Sequence, residues 1–438
     1  MGPAPQPDSD RPDLADETPS PAIPAGRPDS SPPATRTSVC LLTPRGEGGI
    51  SLIELRGPDA FPVLDRLFRS PRRIRPSELL PGQLLYGRLL RAGEMLDEVI
   101  IECATTRGTP CAIINCHGGP VAVGRILDAL QTRGAVAISW RESLRIRREL
   151  GELNLVQAEA EERLPYAPTL RAFGILLDQF HGALEKAVGE MVERLGKNPG
   201  WEALSDALSR LLATATLGRG LTDPPRIAIV GKPNVGKSTL ANALLRTDRS
   251  IVHHLPGTTR DTIEETTVIE GIPFLLVDTA GIRETDHAVE QAGIARSREE
   301  LRQAAITLMV FDGSAPLDAE DERLLADRPA DRLIAVANKS DLPRGLDLAD
   351  LGRRLGLVPI AISGLTGAGI AELEQAILAA LYPCLPGPGE PAIFTERQQA
   401  ELRLALAAAR RHDAAATRAH LRELLGESSA CRRPAAHE

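Results

Sequence analysis

Apolar and polar positions change rhythm several times along the 438-residue chain. Residues 1–37 are rich in Pro, Ser and Asp and carry few apolar side chains, so a disordered tail is expected there. From Ser38 onward short apolar runs take over. Residues 38–42 and 50–55 flank a Gly-rich turn and read as strands, as do 84–90, 98–103 and 111–116. Residues 58–68 and 121–130 have helical spacing, which makes 38–138 a small α+β domain. Over 139–224 the period lengthens. Phe173, Leu177, Phe180, Leu184, Met191 and Leu195 form one core-facing helical stripe.

Between 225 and 384 buried-type strand runs (226–230, 272–277, 333–337 and 360–363) stand among helical and polar segments, the pattern of an α/β domain. A Pro/Gly linker at 383–391 precedes Thr395-Glu396-Arg397-Gln398, a capping box ahead of a helix carrying Leu402, Leu406 and Ala409. That helix, in 385–430, has no partner nearby in sequence. It is expected to pack on the 139–224 helices, which makes the α/β domain an insertion within a helical one. Residues 431–438 read as a tail.

Composition adds limits. A hydrophobic fraction of 42% supports real cores, and 3% aromatic leaves the packing to Leu, Ile, Val and Ala. A net charge of −8 gives no bulk case for nucleic-acid binding, and the arginines of 141–148 read first as a solvated helix face. The six cysteines (Cys40, Cys103, Cys111, Cys116, Cys384, Cys431) show no C-x-x-C spacing, which suggests neither zinc nor disulfides and fits a reducing cytoplasm. No apolar run approaches a membrane span, and no signal-peptide core is present.

The chemistry centres on Gly231-Lys232-Pro233-Asn234-Val235-Gly236-Lys237-Ser238-Thr239, between a strand and a helix. This is G-x-x-x-x-G-K-[ST], in which glycines let backbone N–H groups converge on phosphate at a helix N-terminus. Lys237 would reach the β- and γ-phosphates, and Ser238 would ligate magnesium. The chain has only five lysines (Lys186, Lys197, Lys232, Lys237, Lys339), and three lie in nucleotide motifs, where an ammonium is not interchangeable with guanidinium. Gly257-Thr258-Thr259-Arg260-Asp261 offers Thr259 as a second magnesium contact. The strand over 272–277 leads into Asp278-Thr279-Ala280-Gly281, where Asp278 would hold magnesium through water and the Gly281 N–H would sense the γ-phosphate. Asn338-Lys339-Ser340-Asp341 offers a carboxylate that accepts two guanine N–H groups, which adenine cannot supply. Ser363 adds a backbone contact to the base. Taken in order at strand ends, these motifs specify a GTP-binding doubly wound domain. Ile282 and Arg283 stand where regulatory GTPases place a water-orienting Gln. Glu290, in the polar stretch 283–290, is a candidate for that role, and a solvated carboxylate reads equally well there.

On these motifs the chain resembles the tRNA-modification GTPase family MnmE/TrmE. Cys116-His117-Gly118-Gly119-Pro120, Gln157-Ala158-Glu159-Ala160 and Thr395-Glu396-Arg397-Gln398 carry the likeness outside the GTPase domain, across roughly 38–425. The resemblance implies a folate-binding-like, dimerising N-terminal domain, a helical domain in two parts and an inserted GTPase (G) domain. It implies that Asn234, Val235, Gly236, Lys237, Ser238, Thr239, His253, Thr258, Thr259, Asp278, Thr279, Ala280, Gly281, Asn338, Lys339, Asp341 and Ser363 contact GTP or GDP. Potassium would bind Asn234 and carbonyls at His253, Leu255 and Thr258, and Glu290 would act in catalysis through a bridging water. The family's members bind formyl-tetrahydrofolate and, with a flavoprotein partner, modify the wobble uridine of certain tRNAs. Here the expected folate-contacting Arg is Glu54, an expected Lys is Glu152, the acidic pair near 107–110 is gone, and Cys431 lacks the family's Cys-x-Gly-Lys context.

The expectation is therefore a cytoplasmic, potassium-dependent, homodimeric GTPase whose folate step is lost or altered, with Glu54 and Glu152 repelling an anionic folate tail. Two alternatives stand beside it. One is a GTP-switched scaffold without modifying chemistry. The other is a ribosome-assembly GTPase, against which the absence of a basic appendage counts.

Overall fold

The computed structural model describes residues 36–44, 46, 48–105, 109–197, 200–246, 264–278, 304–326 and 332–427. The chain divides into two compact units, Met1–Ile146 and Arg147–Glu438. The architecture is multidomain, with an α+β N-terminal domain, a helical domain and an inserted α/β P-loop domain.

The first unit is built on a seven-stranded sheet of order β3-β4-β5-β6-β2-β1-β7. Its strands are β1 (Ser38–Leu41), β2 (Ile50–Arg56), β3 (Phe68–Arg69), β4 (Leu84–Arg91), β5 (Glu94–Cys103), β6 (Cys111–His117) and β7 (Val136–Ala137). All pairings are antiparallel except β1 with β7. Alternation sends Ile53, Leu55, Leu89, Ile101 and Ile114 to one face, where α1 (Ala60–Leu67) and α2 (Pro120–Gln131) cover them. Strand β5 starts four residues before the expected Glu98, because Ala92 and Gly93 both have positive φ and make a tight hairpin turn. The two-residue strands β3 and β7 are too short to leave a period in the sequence. Strand β3 pairs closely because position 87 is Gly: a Cβ there would lie 2.4 Å from the Arg69 carbonyl and the Phe68 ring.

In the second unit the helices Leu155–Arg163 (α4), Leu170–Phe180 (α5) and Trp201–Ala213 pack with the late helices Glu396–Arg410 and Ala414–Leu425. Asn154 and Gln157 form a reciprocal capping box at α4. The box expected at Thr395 is only half made. Thr395 caps the Gln398 N–H, but the Gln398 carbonyl accepts from the Phe394 N–H instead, while its amide donates to Glu159 at 2.7 Å. Arg397 forks onto the same carboxylate at 2.6 and 2.9 Å, so the late helix is tied to α4 across more than 230 positions of chain. Gln179 and Thr214 bind the returning backbone at Glu390, Ala392 and Ile393, and Gly218 lets it pass where a Cβ would meet the Ile393 carbonyl at 1.9 Å.

Between the two helical parts sits a six-stranded sheet of order β13-β12-β11-β8-β10-β9. Its strands are β8 (Arg226–Val230), β9 (Glu264–Ile269), β10 (Ile272–Asp278), β11 (Ile306–Asp312), β12 (Leu333–Asn338) and β13 (Ile360–Ala361). All neighbours are parallel except the edge pair β9–β10. Ile227, Ile229, Leu308, Val310 and Val336 belong to one core, and Met309, Phe311, Ala335 and Ala337 to another, which is why these strands read as continuous apolar runs. The β9–β10 turn rests on α5: Thr169 Oγ1 donates to the Gly271 carbonyl at 2.6 Å, and Arg171 donates to the Glu270 carbonyl at 2.7 Å. Among the described residues no helix is long and apolar enough to cross a membrane.

Candidate nucleotide site

The parallel strands deliver their C-terminal ends to one edge of this sheet, where an open α/β sheet binds its ligands. Strand β8 feeds the loop 231–236, and the helix Lys237–Arg246 (α9) starts directly after it. The loop's glycines are there for space. A Cβ on Gly231 would lie 2.4 Å from the Val310 carbonyl, and Gly236, at φ 91°, would carry one 2.3 Å from Asn338 Nδ2. Asn234 takes a left-handed conformation at φ 62° and is exposed, as are Ser238 and Thr239 in the first turn of α9. Lys237 Nζ lies across the loop and donates to the Lys232 carbonyl at 2.8 Å.

Asn338, at the end of β12 and 2% exposed, ties the site together. Its amide donates to the Val235 carbonyl at 2.8 Å and the Gly236 carbonyl at 3.4 Å, and its own carbonyl accepts from the Gly364 N–H at 3.0 Å. The phosphate loop and the base loop are therefore held by one side chain. Beyond it, fully buried Ser363 donates to Asp341 Oδ1 at 2.5 Å and accepts from the Thr366 N–H, which orients an otherwise exposed carboxylate. Lys339 sits at φ 66° with its ammonium 2.6 Å from Asp312 Oδ2. Burial pushes the Asp312 carboxyl up, but hydrogen bonds from Lys339 and Ser314 outweigh it and hold the group below the ordinary carboxylate range.

The structure thus brings together Asn234, Val235, Gly236, Lys237, Ser238, Thr239, Asn338, Lys339, Asp341 and Ser363. Asp278 ends β10, in register with Ile229 of β8. The expected contacts His253, Leu255, Thr258, Thr259, Thr279, Ala280, Gly281 and Glu290 lie outside the described residues, as does Cys431.

Family models agree with this layout. One described as "50S ribosome-binding GTPase" matches residues 226–339, and one described as "GTP-binding protein TrmE N-terminus" matches 37–141. The tRNA modification GTPase MnmE of Geobacillus thermodenitrificans is 37% identical, with 78% of this chain and 81% of that one covered. Its counterpart in Moorella thermoacetica is 36% identical over 84% and 87% of the two chains. Among solved structures, Era from Aquifex aeolicus bound to GDP.AlF4- is 29% identical over 42% of this chain and 66% of that one, with a TM-score of 0.30. The chain belongs to the MnmE family.

Membership makes the α/β domain a GTPase that converts GTP to GDP and phosphate. It also directs attention to the first unit, where the expected electrostatics need correction. Glu54 does not present a free negative charge. It is 4% exposed, its Oε2 lies 3.1 Å from an Arg56 nitrogen, and its Oε1 accepts from Ser143 at 2.6 Å. Glu152, whose side chain is 8% exposed, faces Arg147 at 3.8 Å. Each carboxylate that replaces a family cation has an arginine beside it, so repulsion of an anionic ligand does not follow. Buried Cys40 is paired in register with Glu54. Its thiol is pushed up to about 12, first by burial and then by the charges of Glu54 and Glu142. His117 is fixed through Nδ1, 2.6 Å from Asp97, and Asp97 also accepts the His117 and Glu98 backbone N–H groups.

Motif reading missed Asp312, Asp318 and Asp321. The last two hold Lys232 at 2.8 and 2.7 Å. Their sequence signal was faint: an apolar run ending in Asp312, and an unusual lysine inside the phosphate loop.

Proposed function

We propose that this chain is a potassium-dependent GTPase acting as a homodimer in the modification of tRNA wobble uridine, in the cytoplasm and beside a flavoprotein partner, with the folate-dependent step lost or altered. The observation that carries the GTPase half is the Asn338 staple, which builds the phosphate and guanine subsites as one body. The tRNA half is supported by relatives named tRNA modification GTPase MnmE.

In this reading Lys237 neutralises the β- and γ-phosphates, and Asp341, oriented by Ser363, selects guanine. Exposed oxygens at Ser238 and Asn234 fit cations. Ser238 and Thr259 would hold magnesium, with Asp278 acting through water, and Asn234 with the carbonyls of His253, Leu255 and Thr258 would hold potassium. When bound, these cations offset negative charge as the γ-phosphoryl departs. Glu290 orients the attacking water through a bridging water.

A folate fits the first unit poorly. A buried acceptor tied to Arg56 and Ser143 cannot donate to a carboxylate tail, so a missing contact, rather than repulsion, argues for a changed one-carbon step.

Hydrolysis measured in potassium and in sodium at equal ionic strength tests the cation assignment, with faster turnover expected in potassium. Equal rates would remove Asn234 from that role, and normal turnover by Glu290→Ala would remove Glu290. Submicromolar calorimetric binding of formyl-tetrahydrofolate would overturn the folate reading. tRNA nucleoside analysis after deletion decides between a modifying enzyme and a GTP-switched scaffold, with loss of the wobble modification expected.

A further inference from the structure

Lys232 lies inside the phosphate loop, yet its ammonium points away from the nucleotide edge. It sits 2.8 Å from Asp318 Oδ2 and 2.7 Å from Asp321 Oδ2. These two carboxylates are not loose surface groups. Asp318 Oδ1 accepts from the N–H groups of Glu320 and Asp321, while Asp321 Oδ2 accepts from the Asp318 N–H. Together they make a reciprocal cap on the Ala319–Ala326 helix. The Asp321 side chain is 3% exposed and that of Lys232 15%, so the contact is shielded on the loop side. Burial alone would lower the Lys232 pKa, but the hydrogen bonds from both carboxylates outweigh it and raise it above the ordinary lysine value. The same contact holds Asp318 down to about 2.

The other end of the same residue has a separate task. The Lys232 carbonyl accepts from Lys237 Nζ at 2.8 Å. One residue is therefore fixed by its ammonium to a capped helix and uses its carbonyl to aim the phosphate-binding lysine. A bare surface ion pair would not do this, because two exposed charges hold no geometry. An ammonium between two carboxylates also has a shape that a planar guanidinium lacks, and the chain keeps a lysine here while using arginine for most of its positive charge.

We infer that Lys232, clamped by Asp318 and Asp321, is a positioning residue for GTP hydrolysis that acts through its own carbonyl on Lys237. The inference rests on the reading of Lys237 as the phosphate-binding lysine. Lys232 itself touches no nucleotide in this scheme. Its clamp fixes where the Lys237 ammonium sits before GTP arrives, so that charge developing between the β- and γ-phosphates meets an oriented donor.

The test uses the full chain. Lys232→Met alone strands the buried Asp321 carboxylate and risks unfolding the loop, so the informative variant is Lys232→Met with Asp321→Asn, which removes both charges together. Its kcat and its GTP affinity should each fall roughly tenfold, the size of one charge-assisted hydrogen bond. A merely structural clamp would give the same loss whatever residue stands at 237. A double-mutant cycle therefore decides. In a Lys237→Ala background the paired change should cost less than about twofold in GTP affinity. An equal tenfold loss in both backgrounds, or an unchanged kcat with Lys237 present, would overturn the inference. Full GTP affinity in Lys237→Ala alone would instead sink the phosphate-loop reading on which it stands, and that outcome involves no change at Lys232.

Discussion

The nucleotide edge of the second unit and the Glu54 cluster of the first are both polar sites on a sheet, and they differ in what is left open. At the nucleotide edge the scaffold is satisfied while the working atoms are not covered. Asn338 is buried and fully engaged, whereas Asn234, Ser238, Thr239 and Asp341 are exposed. In the Glu54 cluster every member is inside. Cys40, Glu54, Arg56 and Ser143 are each 5% exposed or less, and the hydrogen bonds run among themselves. The first arrangement awaits a ligand. The second has filled its own space, which a polar group in low dielectric must do to avoid a cost of several kcal/mol.

The sharpest way to break this comparison is to remove a group from the open site. Lys237→Ala should lower kcat for GTP by on the order of a hundredfold or more, as loss of a donor aimed at developing charge does elsewhere. Single-turnover hydrolysis would read it, and a loss below threefold would mean the open edge is not the reaction site. Asp341→Asn should come next. It removes the acceptor for two guanine N–H groups, so GTP affinity should drop on the order of a hundredfold. An amide can also donate to a base carbonyl, so xanthosine triphosphate should gain affinity. Fluorescent nucleotide titration distinguishes the two, and unchanged GTP binding would remove Asp341 from the base site.

That contrast also explains what could be read beforehand. The phosphate loop, Asn338-Lys339-Ser340-Asp341 and Ser363 are legible because a ligand of fixed shape dictates residue type and spacing. The inserted domain was legible too, since the helix after Thr395 needed a partner that its neighbourhood did not offer. Other features answer to packing partners far away in sequence, and no local pattern records them. Arg397 and Gln398 meet Glu159, which the capping box does not foretell, and β11, the strand between β8 and β12, carries no nucleotide motif. Glu54 shows the hazard most clearly. Read alone, it is a misplaced negative charge; in the fold, Arg56 two positions along the same strand face neutralises it.

Glu54→Ala carries the comparison into the closed site. The Arg56 guanidinium, 5% exposed, would lose that carboxylate, and breaking a buried pair typically costs about 3–5 kcal/mol. Thermal unfolding should show the first unit destabilised, while kcat for GTP stays at the level of the unaltered chain. A matching fall in kcat with no change in melting would mean that Glu54 belongs to the reaction after all.

The smallest effect tests whether the cluster is closed by packing or by charge. Burial is the leading cause of the Cys40 shift to about 12, and the negative charge of Glu54 comes second. Glu54→Gln removes the charge and keeps the shape, so it should lower the thiol's pKa only slightly. Mass-spectrometric mapping of iodoacetamide labelling at pH 8 should find Cys40 unmodified in the folded chain, because so little thiolate forms that far below its pKa. In Glu54→Gln the labelling rate should rise by less than about threefold, corresponding to under half a pKa unit. A rise of a hundredfold would mean that charge, not packing, had been keeping Cys40 silent, and that the cluster opens to solvent once Glu54 is neutral.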